Sequence, residues 1–129
     1  MACELIAVGV IWREGKVLIG KRPAHVRLGG LWEFPGGKLQ PGETPEQCVR
    51  REVLEEVGLV VEVLGELMTV QHDYPDFSIR LGAYHCRAEQ GEAQALACDV
   101  VEWVSPDALE RYTFPEANRV LLEAIKLPS

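Results

Sequence analysis

Residues 36–59 read GGKLQPGETPEQCVRREVLEEVGL, a glycine-rich turn running into an amphipathic helix, and the acids Glu52, Glu55 and Glu56 inside it govern how the whole chain is read. Successive side chains on an α-helix advance by about 100°, so the positions three and four after Glu52 fall within roughly 60° of it. Three carboxylates are therefore expected to project into one small volume. Like charges at this spacing destabilise a helix by a few tenths of a kcal/mol per pair. A hard divalent cation such as Mg²⁺ or Mn²⁺, which prefers oxygen ligands and binds alongside substrate phosphates, would offset that cost.

The flanking residues set the helix limits. Thr44, Pro45, Glu46 and Gln47 fit an N-cap, a proline at the first helical position, an early acid and a capping-box partner, so the helix should begin at Pro45. Gly58 fits a left-handed residue just past its end, and Val49, Val53 and Val57 form a stripe on the flank away from the acids. One helix thus packs on a core and presents carboxylates to a cleft.

Gly37, five residues, Glu43, seven residues, Arg51-Glu52-Val53, one residue, Glu55-Glu56, one residue, Gly58-Leu59: at every specified position this spacing resembles the signature of the Nudix hydrolases. The resemblance implies an α/β chain folded as a Nudix α/β/α sandwich, with a mixed β-sheet between helices, and one such domain across 1–129. It implies hydrolysis of a nucleoside diphosphate linked to another moiety, with Mg²⁺, or Mn²⁺, as cofactor. Glu52, Glu55, Glu56 and the carbonyl of Gly36 match the metal ligands, while Arg51 and Glu43 match residues that orient the site. A planar Arg fork suits the bracing of carboxylates. Glu52 is the candidate for orienting the attacking water or taking its proton.

Outside the signature, LWEFPGG at 31–37, Pro75-Asp76 and FPEAN at 114–118 look like the MutT-type subgroup, which removes oxidised guanine nucleotides such as 8-oxo-dGTP. In that likeness Asn118 matches a base-recognising asparagine, and Phe34 and Arg22 match residues near the base and the sugar or phosphate. Asp76 belongs to the same pattern, and Lys38 is placed to neutralise phosphate charge. An amide suits the task, because oxidation at C8 turns guanine N7 from an acceptor into an N–H donor. One amide then donates to O6 and accepts from N7–H. The chain departs from the subgroup at Ala97, where many relatives carry a further loop glutamate; Glu92 and Asp99 are the nearby acids.

The activity implied is conversion of 8-oxo-dGTP to 8-oxo-dGMP and pyrophosphate, a nucleotide-pool sanitising reaction. Alternatives are a Nudix pyrophosphatase for CTP, a modified pyrimidine triphosphate or ADP-ribose, and a nucleotide-sensing domain without turnover. The 129 residues carry a net charge of −7, with 47% hydrophobic and 26% charged residues, which suits one soluble globular domain. Such acidity argues against binding a nucleic-acid polymer, which relies on Lys and Arg, but not against a small nucleotide. No apolar run is long enough to span a bilayer, and MACELIAVGVIW lacks the features of a signal peptide, so a cytoplasmic protein without membrane partners is expected.

Cys3, Cys48, Cys86 and Cys98 lack CxxC spacing and read as reduced packing thiols. Strands are expected at Glu4–Trp12 and Lys16–Gly20 around a Glu14-Gly15 turn, at Leu31–Phe34, and in Val60–Val70 and Phe77–Cys86 around a turn at HDYPD. A last strand is expected at Val100–Val104. A capped turn at Ser105–Leu109 and a helix over Glu116–Ile125, with Val120, Leu121 and Ala124 facing inward, complete the prediction. The loop Pro23–Gly30 joins the hairpin to the LWEF strand. His25, His72 and His85 sit in no triad-like spacing, and Trp32 suits either the core or stacking on a base.

Overall fold

The computed structural model describes residues 3–26 and 28–126, so Arg27 of the Pro23–Gly30 loop lies outside them. β1 (Cys3–Arg13) turns at Glu14-Gly15 into β2 (Lys16–Lys21), and both turn residues have positive φ. Then come β3 (Trp32–Glu33), β4 (Gly36–Lys38), α1 (Pro45–Val57), β5 (Glu62–Tyr74), β6 (Phe77–Arg87) and β7 (Val100–Val104). Two 3₁₀ turns, Pro106–Arg111 and Glu116–Asn118, lead into α2 (Arg119–Lys126).

The described strands form one mixed sheet in the order β3-β2-β1-β6-β5, with β4 paired to β1 and β7 to β2. β1 runs parallel to β6, and the other pairings are antiparallel. Being central, β1 buries both faces over Ala7–Ile11, which is why this stretch is apolar rather than alternating. On one face Val8 and Val10 join Ile79, Leu81, Leu121 and Ile125; on the other Ala7 and Ile11 join Val49, Val53 and Val57. Each face thus carries one helix, giving the expected α/β/α sandwich. No helix is long and apolar enough to cross a membrane among the described residues.

α1 is built as the sequence dictates. The Thr44 hydroxyl accepts from the Gln47 amide at 3.1 Å, the Gln47 side chain accepts from the Thr44 amide at 2.9 Å, and Gly58 closes the helix at φ 71°. Cys48, Val49, Val53 and Val57 are buried. Each such side chain contributes about 1.5–3 kcal/mol of hydrophobic burial, so the helix is held by the flank opposite its acids.

Four local expectations are corrected. Gly36–Lys38 is a strand rather than part of a turn, because the exposed edge of β1 offers Ile6, Ala7 and Val8 as partners. His72, Asp73 and Tyr74 of HDYPD continue β5, and only Pro75 and Asp76 form the turn, since Tyr74 pairs directly with Phe77. Ser105 precedes its 3₁₀ turn without a side-chain capping bond. Val120 is exposed, while Leu121 and Ile125 are buried, because the i, i+4 pair Leu121 and Ile125 faces the sheet and Val120 stands about 100° round the helix from Leu121.

Candidate active site

β4 lies between β1 and α1 with almost no room to spare. A Cβ on Gly36 would stand 2.2 Å from the Ala7 carbonyl oxygen, and one on Gly37 would stand 2.6 Å from Cδ of Glu52. The two glycines therefore let α1 bring its carboxylates against a strand edge. Gly36 N–H donates toward Glu56 Oε1 at 3.4 Å, and the buried Cys48 thiol donates to the carbonyls of Gly37 and Lys38. Burial pushes that thiol up to about 11, so it packs rather than reacts.

Arg51 organises the acids. Its guanidinium donates to both oxygens of Glu43, Nε to Oε2 at 2.7 Å and Nη2 to Oε1 at 2.9 Å. Nη1 reaches Glu52 Oε1 at 2.7 Å and Glu55 Oε2 at 3.4 Å, and Nη2 also donates to the Lys38 carbonyl. Glu43 additionally accepts from the Gln40 amide at 2.9 Å. These bonds to Arg51, then to Gln40, hold the Glu43 carboxyl down at about 2. Glu43 is thus an anchored anion, and Arg51 passes that anchoring on to Glu52.

The three helix acids do not converge equally. Glu52 and Glu56, one turn apart, both face β4, Glu52 against Gly37 and Glu56 against the Gly36 amide, close enough for the two carboxyls to interact. Glu55, 60° round the helix, stands on the exposed shoulder with a side chain 57% exposed. Among the described residues no three His, Cys, Asp or Glu side chains already surround a common point. The inward pair is nevertheless short of positive charge. Burial, the bond to Glu52, and the negative charge of Glu33 push the Glu56 carboxyl up to about 9, against a smaller opposing pull from the Gly36 amide. Two neighbouring acids against a glycine strand, offering hard oxygen donors, fit a divalent cation of the Mg²⁺ class.

Glu33 escaped the sequence reading, although it stands within LWEFPGG. β3 places it opposite Gly20, where Arg22 Nη1 donates to its Oε1 at 2.8 Å. Burial raises its carboxyl, and the Arg22 bond counters this only in part. Arg22 therefore lines the cleft already engaged. Lys38, also in the cleft wall, is paired with Glu4 at 2.9 Å and is largely exposed.

Beside the acids opens a pocket of about 340 Å³, walled by Phe34, Tyr74, Phe77, Leu81, Ala117 and Asn118. Phe34 is buried and stacks on Phe114, with ring centroids 5.2 Å apart. Asn118 faces this pocket from the end of its 3₁₀ turn, and its side-chain amide has no hydrogen-bond partner among the described residues. Asp76 stands at the tip of the β5–β6 hairpin, between the pocket residues Tyr74 and Phe77. Trp32 packs edge-on against Tyr112, so it belongs to the frame of the molecule. Near His85, the Trp12 indole donates to Nδ1 at 3.0 Å, a contact in the frame.

The loop after β6 is strapped over the end of α1. Arg13 donates to the carbonyls of Ala88, Gln90 and Gly91, and its guanidinium lies over Trp103. Gln94 and Leu96 amides donate to the Val57 and Glu56 carbonyls. Ala97, Glu92 and Asp99 are all exposed on this loop. Burial, then the negative charges of Glu33 and Glu56, raise the thiol of Cys98 on this loop. The four cysteines are free.

Comparison with known proteins matches the NUDIX domain family over residues 7–124. The CTP pyrophosphohydrolase of Escherichia coli (strain K12) is 35% identical over 119 residues, 92% of this chain and 88% of that protein. The 8-oxo-dGTP diphosphatase of the same organism is 35% identical over 122 residues, 94% of this chain and 95% of that protein. The crystal structure of a MutT NUDIX hydrolase from Burkholderia pseudomallei superposes with a TM-score of 0.85 at 28% identity, covering 96% of this chain and 98% of that one.

Proposed function

The chain belongs to the Nudix hydrolase family, and from that membership we propose that it is an Mg²⁺-dependent nucleoside triphosphate pyrophosphohydrolase of the cytoplasmic nucleotide pool, converting 8-oxo-dGTP to 8-oxo-dGMP and pyrophosphate. The observation that carries the substrate reading is the Asn118 side-chain amide, without a hydrogen-bond partner among the described residues and presented to an apolar pocket beside the acid pair. An amide in that position pairs with the donor at N7 and the acceptor at O6 of oxidised guanine, whereas ordinary guanine sets two acceptors against it. A buried mismatch of that kind costs about 1–3 kcal/mol.

Each residue has a defined task. Glu52, Glu56, Glu55 and the Gly36 carbonyl would hold the divalent ion, which when bound polarises phosphoryl oxygens and lowers the pKa of the attacking water. Glu52 orients that water and receives its proton, and Arg51, anchored by Glu43, fixes the Glu52 carboxylate for the task. Arg22 and Lys38 turn from Glu33 and Glu4 toward the triphosphate. Phe34 floors the base pocket, and Asp76 stands exposed at the adjacent hairpin tip, outside the pocket lining.

The similarity to a protein named for CTP hydrolysis favours one second reading, a pyrimidine triphosphate as substrate. The test is pyrophosphate release with Mg²⁺ on 8-oxo-dGTP, dGTP, CTP, dCTP and ADP-ribose, compared as kcat/KM. A preference for 8-oxo-dGTP over dGTP that is lost in Asn118→Ala is expected. Equal losses on both nucleotides, or a preference for CTP, would overturn the base assignment.

A further inference from the structure

Asn118 is the last residue of a 3₁₀ turn that runs directly into α2 at Arg119, with Ala117 beside it buried in the core. Within the turn the backbone N–H of Asn118 donates to the Pro115 carbonyl at 2.9 Å, a bond that closes the turn without reaching the sheet. The first amides of a helical turn lack partners inside it and must find them elsewhere. Here the Ala117 amide donates to the hydroxyl oxygen of Tyr74 at 3.4 Å, across the pocket floor from β5. That is the hydrogen bond from the turn to the sheet among the described residues.

Tyr74 is itself held rigidly. Its ring stacks on Phe77, with centroids 4.7 Å apart and planes at 11°, and meets His72 edge-on at 4.5 Å. The hairpin beneath is closed by the direct pairing of Tyr74 with Phe77 and by the Ser78 hydroxyl donating to Asp73 Oδ1 at 2.6 Å. A rigid phenol at the end of a locked hairpin is thus bonded to the residue next to Asn118, while Tyr74, Ala117 and Asn118 all line one pocket.

We propose that Tyr74 is a positioning residue for base selection: its hydroxyl, braced by the β5–β6 hairpin, sets the direction in which the Asn118 amide meets the nucleobase. The proposal rests on Asn118 reading the base. It predicts that base preference depends on a hydroxyl belonging to a different part of the chain from the asparagine that exercises it.

The test is a cycle of Tyr74→Phe, Asn118→Ala and the double variant, each measured for kcat/KM on 8-oxo-dGTP and dGTP. Tyr74→Phe keeps the ring and its stacking, so Tm should stay within a few degrees. Losing one weak bond should lower the ratio of the two kcat/KM values by about 3- to 10-fold, mainly through the KM of the preferred nucleotide. In the double variant the ratio should equal that of Asn118→Ala alone. If Tyr74→Phe scales both nucleotides equally, or if its effect persists undiminished without Asn118, Tyr74 is only part of the frame and the proposal fails. Should the wild-type enzyme prefer another base, the substrate reading fails by itself. The same cycle, run on the preferred and disfavoured bases, then still decides the role of Tyr74.

Discussion

Gly37→Ala should leave the protein folded and remove most of its catalysis. The new Cβ would stand 2.6 Å from Cδ of Glu52 and 2.7 and 2.8 Å from its two oxygens, whereas ordinary contact begins at 3.4 Å. The carboxylate must therefore retreat by about 0.8 Å, the difference between 2.6 and 3.4 Å. Because the obstacle is the end of a flexible side chain, relief is cheap: an off-rotamer Glu52 costs about 1 kcal/mol, or a Tm drop of roughly 3–6 °C for a chain of this size. The catalytic loss is much larger, since a displacement near 1 Å at a reacting group costs about 100-fold in rate. Gly36→Ala is the informative contrast. Its Cβ meets backbone, 2.2 Å from the Ala7 oxygen and 2.6 Å from Val8 Cα, so relief requires moving β1, and stability should fall by about 3 kcal/mol. Thermal unfolding of both variants, with steady-state kinetics in Mg²⁺, separates the two effects. Full kcat in Gly37→Ala would refute the idea that this strand edge sets the Glu52 carboxylate.

Arg51→Lys cannot reproduce the two-pronged grip on Glu43 while also reaching Glu52; kcat should fall about 10- to 100-fold with KM little changed in steady-state kinetics. The metal-free protein should lose stability as pH rises. Glu56 is raised from 4.5 to about 9 in the fold, so between those values the native state holds a proton that the unfolded chain has released, and ∂ΔG/∂pH is negative. Urea unfolding at pH 6 and pH 8.5 should show the decline, and saturating Mg²⁺ should flatten it; identical behaviour with and without the ion would contradict the assignment of Glu56. Thr44→Ala removes the bond that accepts the Gln47 amide and should cost about 1 kcal/mol in urea unfolding, with kcat per folded molecule unchanged.

The parts of this molecule legible in its sequence are those whose causes are local. Thr44, Pro45, Gln47 and Gly58 fix α1 by contacts spanning a few residues, and β1 is readable because burial on both faces makes its middle, Ala7–Ile11, continuously apolar. What escaped depends on distant partners. Gly36–Lys38 has no strand propensity of its own and is a strand because β1 lies beside it. Glu33 looks like an ordinary acid until the register opposite Gly20 brings it to Arg22 and the helix acids. The inward Glu52 and Glu56 and the outward Glu55 differ because β4 approaches one side of α1, which helix periodicity alone does not specify. Arg51 and Glu43 are each marked by the resemblance as orienting residues, but their two-pronged bond to each other and the reach of Arg51 to the Lys38 carbonyl are not.

The parallel ladder of β1 and β6 sets Cys3 against Ser78 and Trp12 against Arg87. A nascent chain that has produced its first strand therefore has no long partner for it until the β5–β6 hairpin has emerged. Loop-closure entropy makes such distant parallel pairing slow. α1, with its own cap and stop signal, has the local means to form earlier, but the strand edge that turns Glu52 and Glu56 toward each other docks on β1. Metal affinity should accordingly arise only once β6 has paired with β1, late in refolding.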